Sequence, residues 1–475
     1  MKPVSRRHLL GAPLAAAALL STPGALRAKE PEGRRPLRRL RPDPRGIVAL
    51  PDGYSYRILQ RAGTPMDDGF RVPGRPDAMA CFEGPGETLV LMRNHEVFVD
   101  DWVNSPYSPE RPPPAEAYDR RGTGGVSRVV LDAKSLKVKS SNLVLAGTYW
   151  NCAGGKSPWG WLSCEETVVP GHGFVFLCPT DAARAAKPQR IEGYGRMRHE
   201  AATIDPATSI AYLTEDRDDA CFYRFVPDDR ERPFEGRLQA LRIPKQPRFE
   251  TTRLRRGPGL AVDWVDVPLS AGEQDGLRYA AQDRGAALIR RGEGLWLDDS
   301  KTAGVLYFCA TSGGPLGLGQ VFRLDLAPGG KLEVIAESID PGELDMPDNI
   351  TVSPQGQLYI AEDGAGGNHI RRITLDGRTV DLAANTLSPG EFAGPCFAPD
   401  GKTLFVNMQS EGLTLAIRGP FDRELEQEQA LRRAPEHPPL DWTRGGRGIG
   451  AGLGIMALAA LAHRRRRLRR GEDAG

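Results

Sequence analysis

Between residues 47 and 417 the hydrophobic positions come in short runs, either alternating with polar ones or continuous for four or five residues. No long stretch keeps the three-and-four spacing of an amphipathic helix, so the pattern predicts strands. One unit recurs along the chain, a short apolar strand that ends in polar residues. It reads Leu89–Glu96, Trp159–Glu166, Ile210–Asp216, Val305–Thr311, Leu358–Asp363 and Leu404–Gln409. The starts of these units are separated by 70, 51, 95, 53 and 46 residues. The shorter steps match the roughly 40–50 residues of a four-stranded blade, and the longer ones carry insertions. Turn signals such as Asp205-Pro206, Ser353-Pro-Gln-Gly356 and Ala398-Pro-Asp-Gly401 fall where antiparallel strands must reverse. The expected fold is all-β, a six-bladed β-propeller over residues 47–422. Insertions at 98–122 and about 227–291 are expected to cover one mouth of its channel.

Composition supports this. The 475 residues include 55 Gly and 40 Pro, which suits many turns better than long helices. With 63 Lys plus Arg against 61 Asp plus Glu, the chain offers no broad basic footprint, and nucleic acid is not an expected partner. Seven scattered cysteines without a C-x-x-C pair do not make a disulfide framework.

The ends carry targeting signals. Ser5-Arg6-Arg7-His8-Leu9-Leu10, an apolar stretch through Leu20 and a small-residue site near Ala28 read as a twin-arginine export signal over residues 1–28. This predicts passage of a folded chain to the periplasm or cell surface. Residues 29–46 and 423–447 read as linkers rich in Pro and charge. Residues 448–475 hold an apolar run followed by Arg464–Arg467. That run is shorter than the ~20 residues needed to span a bilayer, so it predicts membrane contact through the tail or a sorting signal that is cleaved. A monomer is expected.

In a propeller each blade points one strand at the axis, so equivalent strand ends converge although they are far apart in sequence. Glu96, Glu165, Glu166, Glu215, Asp216, Glu362 and Asp363 would then share a small volume. Like charges that close are costly unless cations neutralise them, and hard oxygen donors suit calcium or magnesium, with iron or manganese as further candidates. Any one of these acids alone reads as an ordinary exposed turn residue; four acid-bearing repeats in register argue for convergence. Arg198-His-Glu-Ala201, Arg291-Gly-Glu-Gly294 and Met346-Pro-Asp-Asn349 place further acids just before blades, although His199 alone reads as a packed or capping histidine and Asp348-Asn349 could cap a turn. Cys152, in Asn151-Cys-Ala-Gly-Gly155 and shortly before Cys164-Glu165-Glu166, reads either as a packed thiol or as a thiolate ligand, which suits iron. Cys164, Cys221, Cys309 and Cys396 read as core.

Taken in order, Asn151-Cys-Ala-Gly-Gly155, Cys164-Glu-Glu166, His199-Glu-Ala201, Tyr212-Leu-Thr-Glu-Asp216, Pro347-Asp-Asn349 and Ala361-Glu-Asp363 resemble the PhoX-type alkaline phosphatases. The resemblance implies a six-bladed propeller, twin-arginine export, and hydrolysis of small phosphomonoesters with calcium and iron. By position Cys152 resembles the iron-binding thiolate, and Glu166 and Glu200 resemble metal-binding or bridging carboxylates. Asp348, Asn349, Glu362 and Asp363 resemble further ligands, and Glu96 and Glu165 join the metal set from the strand-end pattern. Arg290 or Arg291, with Glu293, matches a segment that contacts phosphate; Arg291, Glu293 and Glu200 form the expected catalytic group. Two other readings compete: a calcium-dependent propeller lactonase or esterase, and a non-catalytic, calcium-stabilised surface-binding propeller.

Overall fold

The computed structural model describes residues 39–423, apart from 299, 301–303 and 375. The expected export signal, most of the expected first linker, and everything from residue 424 through the basic tail lie outside the described residues. The chain folds as a six-bladed β-propeller of antiparallel sheets, each stepping outward from the axis. Pro76–Gly84, Thr88–His95, Gly124–Asp132 and Val138–Thr148 make the first blade. The innermost strands of the other five are Asn151–Ser157, His199–Ile204, Gly292–Asp298, Pro347–Val352 and Phe392–Phe397. The six apolar units read from the sequence are the second strands of the six blades, each returning toward the same mouth of the channel.

The ring closes with a strand from the opposite end of the chain. Ser55–Arg61 pairs with Leu413–Arg418 and completes the sixth blade, so the two ends of the fold are joined through one sheet and the ring has no edge at which to open. Alternating residues of the strands bury their apolar side chains between blades. Phe222, Phe308 and Phe322 stack at 4.5 and 5.0 Å where the third and fourth blades meet. Each fully buried Phe of this kind contributes about 1.5–3 kcal/mol relative to exposure. Tyr359, Phe397 and Phe421 pack tilted or edge-to-face where the fifth and sixth blades meet.

The segment 98–122 leaves the second strand of the first blade at the acid-bearing mouth, where Thr123 Oγ1 donates to the Phe98 carbonyl at 2.7 Å. The stretch from 227 to 291 differs from the expectation of a single insertion. Arg232–Arg242 is one of the two outer strands of the third blade, paired with Tyr223–Asp229 and with the outermost strand Asp263–Asp266. Its polar, arginine-rich sequence hides a strand because only one side of an outer strand faces the core. The remainder carries the helix Leu277–Asp283, whose Arg278 bonds Asp219 at 2.9 Å beside the mouth end of the third blade. No helix among the described residues is long and apolar enough to cross a membrane.

Candidate metal centre

Two local devices, repeated around the ring, build the centre. The first is a β-bulge at the start of the inner strand. Pairing shifts by one residue between Pro76 and Met79, Asn151 and Gly154, His199 and Ala202, Gly292 and Leu295, and Pro347 and Ile350. A bulge leaves a residue unpaired and re-aims its side chain. In these five blades the residue immediately after the last mouth-side pair is Asp77, Cys152, Glu200, Glu293 or Asp348. The sixth blade bulges one residue later, after Ala393, so Ala393, which offers no donor, holds the corresponding place; a Cβ on the following Gly394 would meet the Asp77 carbonyl oxygen at 2.4 Å.

The second device is the residue that follows each second strand. Its N–H donates to the carbonyl of the residue two positions before the bulge donor: Glu96 to Arg75, Glu166 to Trp150, Asp216 to Arg198, Thr311 to Arg291, Asp363 to Met346 and Gln409 to Glu391, all at 2.9–3.3 Å. Arg75, Trp150, Arg291 and Met346 hold left-handed φ values of 44–49°, an uncommon conformation for side-chain-bearing residues that turns the chain sharply into the bulged strand.

Together these devices assemble three overlapping groups: Asp77, Glu96 and Cys152; Cys152, Glu166 and Glu200; Glu200, Glu293 and Asp348. Within each group the candidate donor atoms lie within 4.8 Å of one another. Cys152 and Glu200 are each shared by two groups, so the three form one continuous centre. Both carboxylate oxygens of Glu200 and Oδ1 of Asp77 are buried without a hydrogen-bond partner. Buried charge left in that state costs several kcal/mol unless something binds it. The donor set, hard oxygens with one sulfur, fits divalent calcium and an iron near the thiol.

Electrostatics agree. Burial, reinforced by neighbouring carboxylates, pushes Glu96 and Asp348 up to about 7. The same causes raise Asp77, Glu166, Glu200 and Glu293 well above the ordinary carboxylate range. Burial, then the carboxylates of Asp77 and Glu200, raises the Cys152 thiol well above its usual value. A cation reverses every one of these tendencies by stabilising the ionised donors.

Arginines stand beside the acids. Arg291 bonds Asp216 through Nε at 2.8 Å and Nη2 at 3.2 Å, and Glu293 through Nη2 at 2.8 Å. Arg290 is exposed and lines a separate pocket with Asp218, Asp219 and Glu250. Of the two sequence candidates, Arg291 is therefore the one that adjoins the acids. Arg198 pairs with Glu166 at 2.8 Å.

Four expected ligands, Glu165, Glu362, Asn349 and Asp363, lie outside the three groups. The Glu165 carboxylate is saturated by His172 Nδ1 at 2.6 Å and by the backbone N–H groups of Tyr149, Gly173 and Phe174. Glu362 bonds Arg371 at 2.5 Å and the Asp345 N–H at 2.8 Å. Strand alternation is the reason: Glu165 and Glu362 are the last paired residues of their strands and face away from the channel, whereas Glu166 and Asp363 follow them and turn the other way. Glu215 repeats this, bonded to the Tyr223 hydroxyl at 2.8 Å. Asn349 accepts a hydrogen bond from the Gly394 N–H and belongs to none of the three groups. Asp363 also lies outside the groups, at the solvent edge, where its charge contributes to raising Glu96 and Asp348.

Two acids escaped the sequence reading. Asp77 is held by Gln409 Nε2 at 2.7 Å, and its signal was Arg75-Pro-Asp77, which has the form of Arg198-His-Glu200 and Arg291-Gly-Glu293. Glu391 is raised by burial and by Asp363, Asp348, Asp77 and Glu96, but no comparable fragment marks it. At the opposite mouth, the inner strands surround a largely apolar cavity of about 520 Å³, lined by residues such as Phe82, Trp296 and Phe397.

Comparison with known proteins follows the same lines. The alkaline phosphatase PhoX family description matches residues 36–143 and 132–412. No curated protein matches the chain. Among solved structures, PhoX of Pseudomonas fluorescens in complex with vanadate, a transition state analogue, superposes with a TM-score of 0.60 at 19% identity, covering 79% of this chain and 96% of that one. A calcium-binding protein, regucalcin, from Agrobacterium tumefaciens gives 0.41 at 14% identity over 78% and 96% of the two chains. A gluconolactonase from Xanthomonas campestris gives 0.39 at 13% over 82% and 100%.

Proposed function

The chain belongs to the alkaline phosphatase PhoX family, and on that premise we propose that it hydrolyses phosphate monoesters outside the cytoplasm, using calcium and iron held at the channel mouth. The observation that carries this reading is the buried, partnerless carboxylate of Glu200 between two groups of donors. Cys152, Glu166 and Glu200 would hold iron, and Asp77, Glu96, Glu293 and Asp348 would hold calcium. When bound, these cations neutralise the phosphate oxygens and activate the attacking oxygen.

The chain's own residues do the rest. Arg291 is fixed by Asp216 and Glu293, so its guanidinium is oriented before substrate arrives and is held charged by those carboxylates. A planar, preoriented donor suits the equatorial oxygens of a phosphoryl group in transfer. Arg198, paired with Glu166, gives a second cation on the neighbouring blade. Burial of the carboxylates among packed strands keeps bulk water from competing for the donors. Export rests on the Arg6-Arg7 signal, and membrane contact on the apolar run before Arg464; both belong to this proposal.

A panel of phosphomonoesters, lactones and simple carboxylic esters, assayed with calcium added and after chelation, tests the reading. Release of phosphate that chelation abolishes is expected. Turnover of lactones alone would favour the lactonase reading, and no turnover of any ester would favour a binding propeller.

A further inference from the structure

The residues just outside the carboxylates form a ring of their own, one per blade: Arg75, Trp150, Arg198, Arg291, Met346 and Glu391. Five of these are cations, an anion or a flexible thioether; Trp150 is a flat ring. It lies two residues before Cys152, and its carbonyl accepts the Glu166 N–H at 2.9 Å, so its backbone is anchored to the donor groups on both sides. Its N–H donates to the Val97 carbonyl at 3.1 Å, which ties it equally to the first blade.

Trp150 does not stand alone. Its ring packs against Phe98 at 5.3 Å, and the Arg75 guanidinium lies over the other ring at 4.1 Å. The three side chains are half-buried and make one cluster at the junction of the first two blades, with the two rings tilted 59° to each other. Asp101 pairs with Arg75 at 3.4 Å, which tethers to the same place a segment carrying Trp102, 47% exposed, and Val103, 89% exposed. A half-buried indole beside an aromatic ring and a guanidinium, adjoining the donor groups, offers the kind of π-face on which nucleotide bases stack.

We propose that Trp150 and Phe98 form the leaving-group subsite, and that the preferred substrates are phosphomonoesters whose alcohol carries a planar ring, nucleoside 5′-monophosphates being the class that fits. The inference rests on the phosphatase reading above. The phosphate is held at the metal centre, and the base packs on the indole with Arg75 near its edge.

The test compares adenosine 5′-monophosphate with glycerol 3-phosphate in wild type, Trp150→Ala and Phe98→Leu. Wild type should show the lower KM for the nucleotide. Each variant should raise that KM about tenfold, the size of one base–aromatic stack, and change glycerol phosphate less than twofold. Calorimetric binding of a non-hydrolysable methylene phosphonate of adenosine should weaken by the same factor. Equal losses for both esters with reduced metal content would make the aromatic cluster purely structural and overturn the subsite. Unchanged nucleotide binding in both variants would overturn it too. If wild type hydrolyses neither ester, it is the phosphatase reading that fails, and analogue binding still decides the subsite.

Discussion

Replacing Glu200 by Gln changes one oxygen to nitrogen and removes one charge with almost no change of shape. Glu200 is fully buried and belongs to two of the three donor groups. With cations bound, the variant loses a ligand shared between sites. Changes one layer further out from a metal typically cost 10–100-fold in affinity, so a direct shared ligand should cost at least about 100-fold, or roughly 2.7 kcal/mol. At saturating cation that loss appears as a Tm lowered by about 3 °C for a domain of this size. Without cations the sign differs. Glu200 then lies among carboxylates that raise one another, with no hydrogen bond to lose, and a neutral side chain is tolerated as well or better. Melting curves of wild type and Glu200→Gln, each chelated and cation-loaded, with metal content measured on the same samples, read both halves. An equal fall of Tm in both states would make Glu200 a packing residue and refute the reasoning.

Three other outcomes follow, two from the same geometry and one from the sequence. In chelated protein the acids that burial raises, Glu96 and Asp348 to about 7 among them, bind more protons folded than unfolded, where carboxylates titrate near 4. Their contribution is therefore present below about pH 4 and lost as pH rises through about 7, so chelated protein should melt higher at pH 5 than at pH 8 and calcium should close the gap; a chelated Tm that rises with pH contradicts this. Glu165→Gln should lower stability by about 1–3 kcal/mol, because the His172 and backbone N–H bonds lose a charged acceptor, while metal content stays at the wild-type level in elemental analysis. Changing Arg6 and Arg7 both to Lys should leave precursor in the cytoplasm on fractionation; normal export of that variant would remove the twin-arginine assignment.

Much of the propeller was legible because each second strand couples a short apolar run to a polar end, and the hydrophobic pattern reports that directly. The closing strand Ser55–Arg61 was not, since pairing with Leu413–Arg418 depends on a contact more than 350 residues away and leaves no local mark. At the centre, the strand ends pointed to the right neighbourhood but not to the right member of each pair. Glu165-Glu166 and Glu362-Asp363 read alike in sequence, and only the two-residue period of the strand, fixed by its register, sends the first member away from the channel and the second toward it. The bulges are less visible still. Pro76-Asp77, Asn151-Cys152, His199-Glu200, Gly292-Glu293 and Pro347-Asp348 share a backbone shape and not a residue type, so Asp77 escaped notice while Glu200 and Glu293 did not.

The central claim, that this ring of donors is a metal centre for phosphate ester hydrolysis, is tested most directly by measuring calcium, iron and phosphatase activity on one sample of folded, exported protein through stepwise chelation and reconstitution. The account predicts both metals in the purified chain, activity that falls with them, and recovery when both are returned. Full phosphatase activity in protein stripped of calcium and iron would contradict it.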